Sequence, residues 1–221
     1  FIRTSKAGTR LEMHRLVHLA TRNWLRSIDS LYRWQSYSLG VLKCRFPLAD
    51  TTRRSEWRAA IPHALHALDS TPNELNTDDR AYLMHMIGAC YVHDGRYKEA
   101  EGVFLESGEI LRRLFGATDC LTLKNQSLLA HAYQAMGQFE KSIKILENVL
   151  EEHERARGLE NRDAMDVMAK LASSYRLSGN LQSAEELCSS VVRYYLKTLG
   201  PESHSTLNAI YSLTLIYYTQ G

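Results

Sequence analysis

Apolar residues along this chain recur at helical spacing and are interrupted by regularly placed glycines. In one stretch the apolar positions follow a period close to 3.6 residues; they are Leu123, Leu128, Leu129, Ala132, Tyr133 and Met136. Gly137 ends that stretch, and glycine is favoured just after the C-terminus of a helix. A second stretch of helical spacing starts at Phe139 and ends near Gly158. The pattern predicts two helices joined by a tight glycine turn.

The same unit recurs along the chain with a period of 42 residues. The turn glycines and the tyrosines four residues before them keep this period; they are Gly95, Gly137, Gly179 and Gly221, with Tyr91, Tyr133, Tyr175 and Tyr217. A second set of glycines and a set of small residues keep it as well; they are Gly116, Gly158 and Gly200, with Ala100, Ser142 and Ala184. One helical hairpin cannot bury its apolar face alone, so a period of this length indicates stacked hairpins.

We therefore predict an all-α fold, a right-handed α-α superhelix of stacked helical hairpins. The predicted repeats cover about residues 80–116, 122–158, 164–200 and 206–221, and the last of these lacks its second helix. Terminal repeats need a polar outer face, so we expect residues 207–221 to be frayed or adhesive. The sequence opens at Phe1 in the middle of a pattern, and we interpret it as a piece of a longer protein.

Residues 1–79 keep the period less clearly than the rest of the chain. Within residues 1–27 the pattern predicts a short β-hairpin with its turn at residues 6–8, followed by a helix over about residues 14–26. Residues 28–79 predict a degenerate helical hairpin or connector. Its first helix would end before Pro47, because proline cannot continue a helix.

The repeating unit resembles the tetratricopeptide repeat. The residues that carry the likeness in the first complete unit are Gly88, Tyr91, Gly95, Tyr97 and Ala100. The 42-residue period and the linker TLGPESHSTL, at residues 198–207, are similar to those of kinesin light chains. The resemblance implies that the first helix of each repeat lines a concave groove that binds a peptide or protein.

Repeat position then predicts which side chains face this groove, in four rows of equivalent residues. The candidate partner-binding residues are Tyr82, His85, Lys124, Ser127, His131, Gln134, Asp166, Ser173, Arg176, Asn208, Tyr211 and Tyr218. For any single one of them, ordinary solvated surface is the alternative interpretation. Together they form a mixed, mostly polar surface with aromatic anchors, which suits a peptide or loop.

The segment EMHRLVHLATRNWL, at residues 12–25, resembles the end of the nucleotide-binding half of fungal NOD-like receptors, which are NB-ARC-type STAND proteins. Met13 and His14 match the motif of that family, and Arg15 stands where the family has Asp. The resemblance implies that residues 1–27 are the C-terminal remnant of a winged-helix domain. It further implies that His14 senses nucleotide, and that ADP or ATP binds in the full-length protein.

Charge is distributed unevenly although the net charge is only +2. Residues 1–60 hold twelve Lys and Arg against four Asp and Glu, and residues 61–221 hold fifteen against twenty-one. The basic residues fall on several different elements, so we favour an acidic neighbouring domain over nucleic acid as the reason.

Four scattered cysteines are predicted to be buried thiols in a reducing compartment; they are Cys44, Cys90, Cys120 and Cys188.

The sequence contains no phosphate-binding loop, no nucleophile elbow and no run of apolar residues long enough to span a membrane. We expect no catalytic residue, metal site or cofactor in this chain, and neither nucleic acid nor a membrane as partner. The predicted function is that of a protein-interaction and sensor arm in a cytoplasmic signal-transducing protein. Its expected partners are a peptide or protein and the nucleotide-binding domain of the same polypeptide. A plain adaptor of the kinesin light chain type is the alternative.

Overall fold

The computed structural model of the chain is a series of antiparallel helices that follows two short strands. The structure describes residues 2–4, 11–13, 15–47, 49, 51–72 and 77–220. Strand β1 (Ile2–Thr4) pairs antiparallel with β2 (Leu11–Met13). The ten α-helices of the described residues are α1 (Arg15–Ser27), α2 (Leu31–Arg45), α3 (Arg54–Ser70), α4 (Thr77–His93), α5 (Tyr97–Phe115), α6 (Cys120–Ala135), α7 (Phe139–Arg157), α8 (Arg162–Ser178), α9 (Leu181–Leu199) and α10 (His204–Gln220).

The prediction of an all-helical stack of hairpins is confirmed. The residues that join β1 to β2 and His14 lie outside the described residues. The β-hairpin as a closed unit, the winged-helix assignment and the division of the chain into three segments therefore stay predictions.

Each helix from α4 to α9 packs against the helix before it and the helix after it, and α10 packs against α9. In addition α4 contacts α6, α6 contacts α8, and α8 contacts α10. The first helices of successive repeats therefore lie side by side and form one surface. The second helices α5, α7 and α9 lie behind them.

The turns between paired helices depend on backbone that only glycine adopts without strain. Gly95, Gly137 and Gly179 have φ angles of 73°, 74° and 88°. At Gly137 the left-handed conformation lets the next amide, that of Gln138, bond back to the Tyr133 carbonyl at 2.9 Å. This bond ends α6 and aims the chain into α7.

Polar residues fix the start of several helices. The Asp119 carboxylate accepts from the backbone amides of Leu121 and Thr122 at the start of α6, at 2.9 and 3.3 Å. The Asn161 side chain accepts from the Ala164 amide at the start of α8. These caps satisfy amides that have no partner inside the helix.

The periodic small and large residues meet where first and second helices cross. Ala100, Ser142 and Ala184 are fully buried, which permits the close approach that the period predicts. Tyr91 and Tyr133 are buried as expected. Tyr217 on α10 is 49% exposed, because the main contacts of α10 among the described helices are with α8 and α9.

The N-terminal helices are less covered than the array. Trp57 of α3 is fully buried and joins α3 to the core of α4 and α5. In contrast, Trp24 on α1 and Trp34 and Tyr37 on α2 are more than half exposed. Among the described helices, none combines the length and the apolar character needed to cross a bilayer.

The prediction of buried cysteines is right in part. Cys90 and Cys188 are buried, and burial raises the pKa of the Cys90 thiol to about 12. Cys120 is half-buried. Cys44 is exposed because it lies on the face of α2 that also carries the exposed Tyr37, so the prediction for this residue was wrong.

Candidate partner-binding groove

The first helices α4, α6, α8 and α10 enclose three adjoining depressions, which we call the groove. The first has a volume of about 260 Å³ and is lined by His85, Lys124, Ser127 and Asp166 among others. The second, of about 470 Å³, is lined by His131, Gln134 and Ser173. The third, of about 300 Å³, is lined by Asp166 and Asn208. Eight of the twelve predicted residues therefore come together on this surface.

Lys170 lines all three depressions and lies at the centre of the groove. Desolvation lowers the pKa of its ammonium, and the charge of Asp166 opposes that shift. The prediction from sequence did not include Lys170. Its signal was present: Lys170 occupies a position where the two preceding repeats have Met86 and Leu128. A lysine at a repeat position that is apolar in the preceding repeats indicates that a polar group is needed there.

The Asp166 carboxylate is hydrogen-bonded within the protein. Its carboxylate accepts a hydrogen bond from the Tyr195 hydroxyl at 2.5 Å, and burial together with this bond raises the pKa of Tyr195. The carboxylate is thereby held in place on the wall between the first and third depressions. The first depression therefore presents two lysines, Lys124 and Lys170, beside the engaged Asp166 and a second carboxylate, Asp163.

Histidines contribute neutral hydrogen-bonding groups to the groove. Burial lowers the pKa of His85, and the Lys124 charge lowers it further, against the opposing effect of a hydrogen bond to Asn125. His131 is exposed at one edge, and its pKa is lowered by desolvation and by the charges of Lys170 and His93.

His153 was also missed from sequence. It is 5% exposed and lines the first depression, and its Nδ1 has no hydrogen-bond partner among the described residues. The equivalent residues are Leu111 and Tyr195, so this position is apolar or aromatic elsewhere. A buried polar atom without a partner is uncommon in proteins, which sets His153 apart from the packing residues around it.

Gln134 and Ser173 show how neighbouring repeats are fixed to each other on this surface. The Gln134 amide donates to the Ser173 hydroxyl at 2.8 Å, from α6 to α8. The predicted rows thus place residues of successive repeats within hydrogen-bonding distance. A ligand at the second depression would meet this pair already oriented.

Ser127 differs from the prediction of an exposed groove residue. It is 5% exposed, and its hydroxyl donates to the Leu123 carbonyl one turn earlier at 3.0 Å. Because the neighbouring helices α4 and α8 close over it, Ser127 forms part of the wall and has little surface to offer. Its exposure was therefore predicted wrongly.

Four predicted residues do not line the three depressions. Tyr82 is half-buried, and the Lys43 ammonium lies 5.6 Å from its ring centre. Arg176 is half-buried at the end of α8, while Tyr211 and Tyr218 on α10 are 65% and 84% exposed. Their part in binding stays a prediction. His14, predicted to sense nucleotide, lies outside the described residues.

A buried polar network connects the groove to the helices behind it. The Asn125 side-chain oxygen lies 3.1 Å from His85 Nδ1 and accepts from the Ser107 hydroxyl at 2.7 Å. The Asn125 amide nitrogen donates to the Phe104 carbonyl at 2.8 Å. One buried side chain therefore links α4, α5 and α6.

Within the described parts of the chain, no three His, Cys, Asp or Glu side chains gather as metal ligands would.

A stack of helical hairpins with one continuous surface of first helices is the architecture of a helical-repeat interaction protein. Residues 79–151 and 119–187 each match the tetratricopeptide repeat family. This part of the chain is a tetratricopeptide repeat array.

Among known proteins, the chain is similar to a nucleotide-binding leucine-rich repeat (NLR)-like protein of Hyaloscypha variabilis. The identity is 31% over 118 residues, which are 52% of this chain and 12% of that protein. The chain thus spans about an eighth of the length of this relative.

Solved structures share the fold. The nearly identical TPR-like repeats of a Podosopora anserina protein, described as a kinesin light chain, superpose with a TM-score of 0.63 over 86% of both chains at 23% identity. BtubC (BKLC) from P. vanneervenii gives a TM-score of 0.67 at 14% identity, over 93% of this chain and 78% of that one. A STAND signal-transduction ATPase with a tetratricopeptide repeat sensor, from Pyrococcus horikoshii, gives 0.58 at 20% identity, over 74% and 24%.

Proposed function

We propose that this chain is the sensor arm of a signal-transducing nucleotide-binding protein, and that its groove binds a peptide or protein on the concave face of the array. The observation that carries the proposal is the groove itself, where residues from successive first helices converge around Lys170. The likeness to an NLR-like protein and to a STAND protein with a tetratricopeptide repeat sensor supports the role of sensor. A cytoplasmic location belongs to the same proposal.

The groove favours a partner with several hydrogen-bonding groups, among them a carboxylate for Lys124 or Lys170. These two lysines line the first depression together with Asp163 and with Asp166, which accepts from the Tyr195 hydroxyl. The unpartnered nitrogen of His153 adds a polar position at the same place. A partner's carboxylate or backbone would therefore replace water at groups that the protein leaves unpaired.

The second proposed partner is a nucleotide-binding domain in the same polypeptide, with ADP or ATP as its cofactor. The exposed aromatic residues of α1 and α2, such as Trp24, Trp34 and Tyr37, support a contact with another domain. In this proposal a ligand in the groove shifts the equilibrium between two arrangements of the array and that domain. Any catalytic step belongs to the nucleotide-binding domain and not to this chain.

Binding in the groove is tested with peptides selected from a random library on the 221-residue chain. Affinity of the selected peptides is measured by calorimetry for wild type, Lys124→Ala and Lys170→Ala. Lys144→Ala, an exposed lysine on the second helix α7, is the matched control. We expect roughly tenfold or greater loss for the groove variants and affinity within about twofold of wild type for the control. Peptides indifferent to both groove lysines would refute the proposed groove.

The role as a sensor is tested in the full-length protein. The release of a fluorescent ADP analogue is measured with and without a selected peptide. We expect the peptide to change the release rate in wild type and to have no effect on a Lys170→Ala variant. An unchanged rate with demonstrated peptide binding would instead favour the plain adaptor, which holds two proteins together without a nucleotide switch.

A further inference from the structure

A further depression lies behind the groove, between the helices α5, α6 and α7. Its volume is about 520 Å³, which is within the range of small-molecule sites. Phe104, Leu129 and Ile145 form an apolar floor, and Leu105 beside them is 51% exposed. We call this depression the rear cavity.

The rear cavity exists because the first complete repeat lacks a side chain that the others have. Gly108 on α5 is equivalent to Leu150 and Val192. Leu150 packs against two of the buried clusters of the array, so a side chain fills this space in the second repeat. At Gly108 no side chain enters the corresponding space.

Two more departures from the repeat make the wall of the cavity polar. Ser107 is equivalent to Val149, and Asn125 is equivalent to Val167, both of which are buried valines. The interface between the first and second repeats therefore has a serine, a glycine and an asparagine where the interface between the second and third repeats has three apolar residues. Unfilled apolar packing lowers stability, and a ligand that fills it restores the lost contacts.

The cavity is held open by hydrogen bonds that exist without a ligand. Asn125 is fixed by the Ser107 hydroxyl and the Phe104 carbonyl, at 2.7 and 2.8 Å. A Cβ atom at position 108 would lie 2.9 Å from the Asn125 amide nitrogen, so the fixed asparagine excludes a larger residue there. The site is pre-organised, and a ligand would not need to reorder it.

The rim of the cavity is positively charged. Arg112 and Arg113 line it and are exposed, and neither forms an ion pair with another described residue. Glu109 lies one turn earlier, which leaves a net charge of +1 at this rim. The amide side chains of Gln126 and Asn148 add donors. An apolar floor beside two free guanidinium groups complements a ligand with an apolar body and an anionic end.

We propose that the rear cavity binds a small organic carboxylate, with its apolar body on Phe104, Leu129 and Ile145 and its carboxylate at Arg112 and Arg113. The site lies behind the groove and is independent of the proposed sensor function. It shares one residue with the groove network, because Asn125 also bonds to His85.

The test is a titration of the 221-residue chain with 2-naphthylacetate, followed by methyl NMR of isoleucine and leucine. The matched probe is 2-(2-naphthyl)ethylamine, which has the same ring and the opposite charge. We expect a saturable shift of the Ile145, Leu105 and Leu129 methyl signals with the carboxylate, and an affinity for the amine that is lower by about tenfold or more. Because each methyl signal is assigned to one residue, binding of the probe to exposed apolar residues of α10 is distinguished from binding in the rear cavity.

Two variants and one matched control separate the parts of the proposal. Arg112→Gln with Arg113→Gln removes the cationic rim and is expected to lower the affinity for the carboxylate by about tenfold. Arg155→Gln with Lys197→Gln changes the charge equally at the equivalent position of the other two repeats and is expected to leave affinity unchanged. Ser107→Val, Gly108→Leu and Asn125→Val together copy the interface between the second and third repeats and are expected to abolish binding in a folded protein.

Three results would overturn the proposal. The first is the absence of a shift at Ile145 with millimolar carboxylate. The second is equal affinity for the carboxylate and the amine, which would remove the role of the arginines. The third is unchanged binding in the folded triple variant, which would place the ligand elsewhere.

Discussion

Three polar side chains occupy repeat positions at which the equivalent residues are mostly apolar, and each changes the local chemistry. Lys170 puts a charge at the centre of the groove, His153 puts an unpartnered ring nitrogen on its wall, and Asn125 joins three helices. The equivalent residues of the neighbouring repeats are mostly apolar. In a repeat protein, candidate functional residues are therefore those that differ in character from their equivalents in the other repeats, since the regular positions serve packing.

His85 gives a prediction for the pH dependence of stability. Burial holds its folded-state pKa below the unfolded value of about 6.5, so the unfolded chain binds more protons in that region. The resulting stability is fully present above about pH 6.5 and is lost as pH falls toward the folded pKa. We expect urea unfolding from pH 8 to pH 5.5 to show falling stability, and His85→Gln to show a smaller fall. A variant with the same pH dependence as wild type would contradict this account.

Gly137 gives a second prediction at the residue scale. Its φ of 74° strains any residue with a Cβ, so Gly137→Ala is expected to destabilise by about 1–2 kcal/mol. Gly102→Ala is the matched control, because Gly102 lies exposed inside α5 with no atom within 4 Å of the added Cβ. This control is expected to gain about 0.5–1 kcal/mol from helix propensity. Urea unfolding of both variants measures the difference, and equal effects would exclude backbone strain as the cause.

At the scale of elements, neighbouring helices are matched in size and in hydrogen bonding. The Tyr133 hydroxyl of α6 donates to Glu101 of α5, and the Tyr217 hydroxyl of α10 donates to Glu185 of α9. Tyr175 of α8 donates instead to Glu147, one turn further along α7, because Ile143 holds the equivalent position. The contact survives the change of residue because a helix presents side chains four apart on the same face.

The crossing of α4 and α5 shows the same matching in volume. A Cβ at Gly88 would lie 2.6 Å from the Phe104 ring. The second repeat pairs Ala130 with Leu146 at these two positions, so a larger first residue goes with a smaller second one.

This matching predicts a coupled pair of substitutions. Gly88→Ala alone is expected to cost about 1–3 kcal/mol by overpacking. Phe104→Leu alone is expected to cost about 1 kcal/mol or more through lost volume. The double variant, which copies the second repeat, is expected to be more stable than the sum of the two costs by about 1 kcal/mol or more. A double-mutant cycle by urea unfolding measures this, and additive costs would show that the helices move apart freely.

At the scale of the whole molecule, the array is covered unevenly along its length. The middle helices α5–α8 have neighbours on both sides, whereas the main contacts of α10 among the described helices are with α8 and α9. Leu207, Tyr211 and Tyr218 on α10 are more than half exposed. Stability in a repeat array is a sum of units and interfaces, so an element with fewer interfaces opens more easily.

Hydrogen exchange of the monomer tests this difference. We expect amides of residues 207–220 to be protected at least about tenfold less than those of residues 123–150, because local opening of α10 breaks fewer contacts. Light scattering at the same concentration confirms that the sample is monomeric. Equal protection of the two segments would contradict the account and would indicate that α10 is as firmly held as the middle of the array.

The arrangement of helices followed from the sequence because each part of it has a local cause. Helical spacing of apolar residues, glycine at positive φ and a period of 42 residues are properties of short segments, and they placed the turns at Gly95, Gly137 and Gly179. The resemblance to the tetratricopeptide repeat predicted which helices line the groove, and the period then identified equivalent residues on them, most of which lie on one surface.

What only the tertiary structure decided are the properties that depend on contacts between residues some 20 to 40 positions apart. Ser127 became buried because α4 and α8 close over it, and Lys170 became central because three depressions meet beside it. The rear cavity at Gly108 required both a missing side chain and an asparagine fixed from another helix. Sequence periodicity fixes the direction of a side chain from its helix, but exposure, charge and cavity volume are set by what the neighbouring helices place opposite it.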